Sequence, residues 1–252
     1  MTQRVLVTAG ASGIGREIAR AFAVTGAKVF VCDVDEAALA ALPRELPDVG
    51  TIRCDVSQRA DNERMVAAAL QWLGGLDVLV NNAGIAGPTA PVEQVPPEEW
   101  DRVVQVNLTA AFDITRLSIP ALKQSAAGVV IVMSSAAGRF GYPNRIAYAA
   151  TKWGLVGFTK TLAMELGAFG IRANAILPGT VEGDRIQRVF EGRAKVTGRS
   201  FDEVRDESMR NQSLQTLVDP KDIASLAVFL ASDAGKSISG QALAIDNDIQ
   251  RL

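Results

Sequence analysis

Short apolar runs alternate with helix-length segments along almost the whole chain, and this alternation restricts the possible folds more than any other feature. Strands are read near Arg4–Thr8, Lys28–Asp33, Thr51–Asp55, Leu76–Asn81, Val129–Ser134, Arg172–Leu177 and Ala242–Ile245. The first six are nearly continuous Val, Ile, Leu and Ala, as expected of parallel strands covered on both faces. Segments such as Ile14–Thr25 and Asp61–Leu73 have helical character. Pro96-Pro97-Glu98-Glu99 reads as a helix start, with proline in the first turn and acids near the positive end of the dipole. The expected architecture is α/β: a doubly wound sheet of about seven mostly parallel strands with helices on both faces.

No repeat, low-complexity tract or linker divides the 252 residues, so a single domain over 1–252 is expected. Two stretches break the rhythm. Ala83–Val95 is loop-like, and from Pro178 to about Val218 a charged, partly helical segment replaces the next strand. Ligands of open α/β sheets bind beyond the carboxyl ends of the strands. Both stretches follow such ends, and about 182–215 is read as a cap over the substrate.

Composition removes several function classes. The net charge of −2 gives no footprint for nucleic acid. No apolar run approaches the ~20 residues of a membrane span, and Met1-Thr-Gln-Arg4 leads straight into the first strand, without a signal-peptide pattern. The expectation is a soluble, cytoplasmic protein whose partner is a small-molecule substrate, with no nucleic acid and no membrane. Cys32 and Cys54 form no metal motif and read as buried filler. There is no histidine, so proton transfer must use Tyr, Lys, Asp, Glu or Cys, and no metal site is expected.

Thr8-Ala-Gly-Ala-Ser-Gly-Ile-Gly15 lies between the first strand and the first helix. Gly10, Gly13 and Gly15 allow close approach of a pyrophosphate, and Ser12 and Ile14 open the helix whose N-terminus favours its charge, a Rossmann-like arrangement. Asp33 closes the second strand, where an acid can bond the adenosine ribose hydroxyls. The same acid repels a 2′-phosphate, and the turn carries Ala11 and Ser12 where a basic residue would hold one, so NAD is favoured over NADP. Asp55 and Val56 end the third strand beside the expected adenine; the alternative is a solvated strand-end acid.

Tyr148 and Lys152 stand four positions apart on a helix, hence on one face. A free phenol titrates near ~10, too high for a base at neutral pH. A neighbouring ammonium, with the positive nicotinamide of NAD⁺, lowers that value. Ser135, at the end of the apolar run Val129-Val-Ile-Val-Met133, is placed to hydrogen-bond a substrate oxygen, and Asn107 to position a water or the lysine.

These residues resemble the short-chain dehydrogenase/reductase family over essentially the whole chain. Thr8–Gly15 is similar to the family's Thr-Gly-x-x-x-Gly-x-Gly turn, and Asp55, Asn81-Asn-Ala-Gly84, Asn107, Ser135, Tyr148, Lys152 and Pro178-Gly179 fall where its pattern places them. The resemblance implies a catalytic tetrad of Asn107, Ser135, Tyr148 and Lys152. It also implies that Lys152 bonds the nicotinamide ribose and that backbone near Val181, after Pro178 and Gly179, holds the carboxamide. Asn82, Ala83 and Gly84 either touch the cofactor or chiefly stabilise the sheet. Three positions depart from the pattern: Ala9 for the first glycine of the turn, Gly183 for a threonine after Pro178-Gly179, and Asp246-Asn247-Asp248 for Asp-Gly-Gly.

Ile186, Val189 and Phe190 read as an apolar face able to close over the nicotinamide. Acids in the same segment offset its many arginines, leaving either a solvated surface or an anion contact from one of them, or from Arg139 or Arg145. The helix starting near Ala147 is apolar on two sides, with Leu155, Phe158, Leu162 and Leu166 on one and Trp153 and Met164 on the other. One side suits the sheet and the other a second subunit; the resemblance implies a homotetramer. The expected activity is an NAD-dependent dehydrogenase of a secondary alcohol, with a small polar hydroxy compound, anionic if one of the arginines projects into the pocket, favoured over a steroid or a long acyl chain. The alternatives are an NADPH-linked 3-oxoacyl reductase and a non-catalytic dinucleotide-binding regulatory protein.

Overall fold

A computed structural model describes residues 2–252. Seven strands form one sheet: β1 (Arg4–Thr8), β2 (Lys28–Asp33), β3 (Val49–Arg53), β4 (Val78–Asn81), β5 (Val129–Met133), β6 (Arg172–Pro178) and β7 (Ala242–Ile245). Their order is β3-β2-β1-β4-β5-β6-β7, and every pairing is parallel. The chain winds outward from β1 to β3, then crosses back to build from β4 to β7. The crevice where the order reverses, beyond the ends of β1 and β4, is the ligand position of doubly wound sheets.

The pleat sorts the apolar residues to two faces. Val5, Val7, Val29, Val31, Val78 and Ile131 meet Ile18 and Phe22 of α1 (Gly13–Val24) and Ile223 and Leu230 of α9 (Pro220–Ala231). Leu6, Phe30, Leu79, Val130 and Val132 face the other way. There they pack on Met65 of α3 (Arg59–Leu73), Ile114 of α5 (Ala110–Leu122) and Leu155 and Leu162 of α6 (Ile146–Leu166). Burial on both faces explains why β4 and β5 are buried throughout.

Two strands begin elsewhere than their sequence suggests. The third is Val49–Arg53 rather than Thr51–Asp55, because Val49 pairs with Val29 and Gly50 lies beneath Trp72. A Cβ at Gly50 would come within 2.5 Å of Phe30 and 2.8 Å of Trp72. The fourth begins at Val78, because Asp77 is committed to Arg4, at 2.7 Å, and to the Ser125 hydroxyl, at 2.6 Å. The irregular tail contains α7 (Asp184–Thr197) and α8 (Phe201–Arg210), the latter opened by a reciprocal Ser200–Glu203 capping box. Cys32 and Cys54 are free and buried. Among the described residues no helix is long and apolar enough to cross a membrane.

Candidate active site

The glycine-rich turn is built across the crevice. The Thr8 hydroxyl accepts the backbone N–H groups of Asn82 and Ala83, each at 3.0 Å. The Asn82 amide donates back to the carbonyls of Thr8 and Ala9, both at 3.0 Å. Thr8 and Asn82 therefore bolt the end of β1 to the end of β4. A Cβ on Gly15 would stand 2.2 Å from the Ala9 carbonyl and 2.5 Å from the Asn82 amide, so only glycine fits there. Gly10 is similarly tight against Val31 at 2.9 Å, whereas Gly13, at φ +53°, faces open space. Ser12 and Gly13 are exposed, Ile14 is half-buried, and Ser12 is the N-cap of α1. Ala9 takes φ +49° without being glycine.

Asp33 is 8% exposed and turned toward this loop. One carboxylate oxygen accepts Ala11 N–H at 3.1 Å, and the other accepts Val34 and Asp35 N–H at 2.8 and 3.2 Å. Asp55 accepts the N–H and hydroxyl of Ser57, at 3.0 and 2.7 Å, and the Val56 carbonyl accepts from Asn62 at 3.0 Å. Across the crevice, Gly179 is held against Asp246, where a Cβ would come within 2.7 Å, and its N–H reaches Ile245 at 3.0 Å. Pro178 ends β6, and Val181 bridges to Val218.

The second group lies beyond β5. Ser135 follows the strand and caps a short 3-10 turn, Ala136–Gly138, by accepting Ala137 N–H at 3.2 Å. Lys152 is 3% exposed, its ammonium donating to the Met133 carbonyl at 2.8 Å and lying 5.5 Å from the Tyr148 ring centre. Burial alone would raise the Tyr148 phenol. The Lys152 and Arg185 charges, hydrogen bonding with Ser135 and the Arg145 charge outweigh it, so the phenol titrates below its ordinary value. Burial lowers Lys152, with Arg185 acting in the same direction and Tyr148 opposing them.

Asn107 is fully buried in a π-helical stretch, Gln105–Thr109, that links α4 (Pro97–Val104) to α5. Widened helical turns of this kind gather at functional sites. Its side-chain oxygen accepts Ile85 N–H at 2.8 Å, and its amide donates to the Ile85 carbonyl at 3.0 Å and to Thr151 at 3.2 Å. The side chain thus fixes the backbone after Gly84 rather than reaching Lys152 directly. Gly84 sits between them: a Cβ there would be 3.3 Å from Asn107 and 3.4 Å from Lys152. Thr8, Thr151 and Ser134, whose hydroxyl donates to the Lys152 carbonyl at 2.8 Å, complete the scaffold. Sequence reasoning passed over their side chains; the one available signal was their adjacency to motif residues.

The arginines divide. Arg139 pairs with Asp246 at 3.0 Å and bonds the Ile249 carbonyl, so it is a structural tie and not an anion contact. Arg205 pairs with Asp202 and Asp206, and Arg199 with Glu207. Arg145, Arg185 and Arg188 instead line a cleft of about 310 Å³ with Ile85, Thr89 and Val189. Of the apolar residues expected over the nicotinamide, Phe190 instead stacks edge-on to Phe201 at 5.8 Å between α7 and α8, leaving Val189 on the cleft.

A family model described as enoyl-(acyl carrier protein) reductase matches residues 8–247. A D-beta-hydroxybutyrate dehydrogenase of Cupriavidus necator is 39% identical, the match covering 93% of each chain. Among solved structures, actinorhodin polyketide ketoreductase with NADPH superposes with a TM-score of 0.94 at 32% identity, over 100% of this chain and 98% of the other. NAD⁺-bound xylitol dehydrogenase gives 0.93 at 28% identity, over 97% and 98%. The relatives include several oxidoreductases of hydroxyl groups, and the sheet order is that of a doubly wound dinucleotide fold. Matched from end to end by such proteins, this chain belongs to the short-chain dehydrogenase/reductase family.

Proposed function

We propose that the chain is an NAD-linked dehydrogenase that oxidises a secondary alcohol to a ketone, or runs the same step in reverse, with Tyr148 as general acid/base. The observation that carries this reading is the buried Lys152 ammonium 5.5 Å from the Tyr148 ring, beyond the strand end that bears Ser135; these neighbours favour a phenol below its ordinary value. The turn fits a dinucleotide, since Gly15 and Gly10 admit no side chain and Gly13 is open above the N-terminus of α1. Bound nicotinamide would supply the carbon that accepts or returns the hydride. Ser135 donates to the substrate oxygen, and Tyr148 takes the hydroxyl proton as that oxygen becomes a carbonyl. Lys152 keeps the phenolate accessible and would hold the nicotinamide ribose. Asn107 keeps Ile85, and with it Gly84, against that ammonium. Asn82, Ala83 and Gly84 would border the cofactor, Asp55 and Val56 its adenine, and Pro178, Gly179 and Val181 its carboxamide.

Asp33 supports NAD. Its carboxylate lies against the turn where the adenosine ribose would rest and repels a 2′-phosphate. Arg53, opposite Asp33 in the strand register, is engaged by Glu36 at 3.1 Å, so the nearest cation on β3 is already paired. An NADPH-linked reductase would need that repulsion removed. The presence of both Tyr148 and Lys152 argues against a non-catalytic sensor. Helices α7 and α8 serve as the substrate cap. Trp153 and Met164, 51% and 85% exposed on the outer side of α6, point to self-association, as a homotetramer.

The test is a panel of sugars, hydroxy acids, hydroxysulfonates, cyclic alcohols and steroids, each offered with NAD⁺ and with NADP⁺. Reduction of NAD⁺ with at least one secondary alcohol is expected. A clear preference for NADP⁺, or no turnover of any class in either direction, contradicts the reading.

A further inference from the structure

The cleft beside Tyr148 has a charge that its own walls do not balance. Arg145, the residue before α6, is 3% exposed. Its guanidinium donates to the Ala86 carbonyl at 2.9 Å and to the Thr89 hydroxyl at 3.3 Å, both neutral acceptors. Its Nε has no partner among the described residues. The guanidinium carbon lies 5.3 Å from the Tyr148 ring centre and 5.4 Å from that of Tyr142. Arg185 reaches across from α7 to the Gly84 carbonyl at 2.6 Å, again a neutral group. Arg188, one turn further along α7, lines the same space. Among the described residues none of the three forms an ion pair and no acid lines the cleft, whereas Arg139, Arg199 and Arg205 each have a carboxylate.

A guanidinium withdrawn from water without a counter-ion is strongly unfavourable. Carbonyls and aromatic faces offset part of that, and the latter are cation–π contacts. They do not explain why two further arginines line the same small cleft. An anion would balance all of them. At ~30 Å³ per water, the 310 Å³ space holds about ten waters, enough for a small molecule. The planar guanidinium fork suits an anion with two or three equivalent oxygens.

We propose that Arg145, Arg185 and Arg188 form an anion subsite that holds a carboxylate or sulfonate of the substrate, with its hydroxyl-bearing carbon toward Tyr148. This rests on the dehydrogenase reading above and narrows it to hydroxy acids. The rival source of the same chemistry is the cofactor's diphosphate. The glycine turn built for that group follows β1, whereas the cleft lies past Gly84, between the Ile85–Thr89 loop and α7.

The experiment is calorimetric titration of the protein–NADH complex, in which a hydroxy acid cannot be oxidised. The probes are lactate, 3-hydroxybutyrate and 2-hydroxypropanesulfonate, each with its neutral amide. At least one acid should bind at least about tenfold more tightly than its amide, the scale of one charge-assisted hydrogen bond. Arg145→Gln should abolish that preference, the acid losing at least about tenfold more affinity than its amide. Arg188→Leu, on an exposed position and free of any folding role at the α6 start, should reduce the preference. If no acid outbinds its amide, the subsite does not exist. If Arg145→Gln and Arg188→Leu weaken acid and amide alike, the arginines only shape the loop. If they weaken NADH and leave the acid-to-amide ratio intact, the anion is the diphosphate. Tyr148→Phe should retain the acid preference, since binding needs no proton transfer. Absence of turnover with every alcohol would therefore defeat the dehydrogenase reading while the titration still judged the subsite.

Discussion

Tyr148 is held between opposed influences, and their balance sets where its phenol titrates. Burial favours the neutral phenol; the Lys152, Arg185 and Arg145 charges favour phenolate and win. Removing a cation while keeping the side-chain shape must therefore raise the phenol. Arg185→Gln should move the ascending limb of kcat/KM for alcohol oxidation to higher pH, because more alkali is then needed to form the base. A profile unchanged or shifted to lower pH would show that Arg185 does not act on Tyr148. At this scale the grouping of Ser135, Tyr148 and Lys152 was legible, since it follows from a strand end and a helical repeat. The arginines were not. Arg139 and Arg145 flank the same loop in the sequence, yet one is tied to Asp246 and the other is buried under Tyr148. That difference comes from where β7 and the Ile85–Thr89 loop lie in space.

At the level of elements, the turn after β1 combines a strained residue, Ala9, with two tightly enclosed glycines, Gly10 and Gly15. Ala9 occupies the left-handed region at φ +49°, which costs an L-residue about 1–2 kcal/mol. Ala9→Gly should stabilise the protein by about 1 kcal/mol in denaturant titration, part of the relief being lost to the freer unfolded chain. Gly15→Ala should act in the opposite sense, destabilising by about 1–3 kcal/mol through overpacking against the Ala9 carbonyl and weakening NADH binding. Equal stabilities for both variants would refute this account of the turn. Asn247 and Asp248, at φ +57° and +55° where the family favours glycines, keep their conformation through the bonds of Asn247 to the Thr216 carbonyl, at 2.7 Å, and of Asp248 to Ser213. Elements whose apolar runs coincide with their ladders, β1, β2 and β7, were readable residue by residue. β3 was not, because Gly50 has no strand propensity and is a strand residue only because Trp72 and Phe30 close over it. The π-helical stretch around Asn107 left no trace in periodicity, since its extra residue per turn serves a contact with the distant Ile85.

Over the whole molecule, the strand order and the two-faced core bring four distant segments to one edge of the sheet. These are the turn after β1, the loop after β4, the end of β5 with the first turns of α6, and the segment after β6. The alternation of runs was enough to anticipate this layout, because buried parallel strands require crossover helices and the order reversal fixes the crevice. Assembly is a separate matter of surface. Leu155, Leu162 and Leu166 bury one side of α6, while Trp153 and Met164 remain on the other. Met164→Lys should lower the mass measured by light scattering without changing NADH affinity; a wild-type protein that is already monomeric contradicts self-association through this helix. The central claim is that Tyr148 moves the proton while the rest of the site holds cofactor and substrate. Steady-state turnover of Tyr148→Phe, measured beside its NADH affinity, tests it most directly. Turnover should fall by about 10²–10⁴-fold with NADH binding intact; near-normal rates with a substrate of the wild-type enzyme would contradict the mechanism outright.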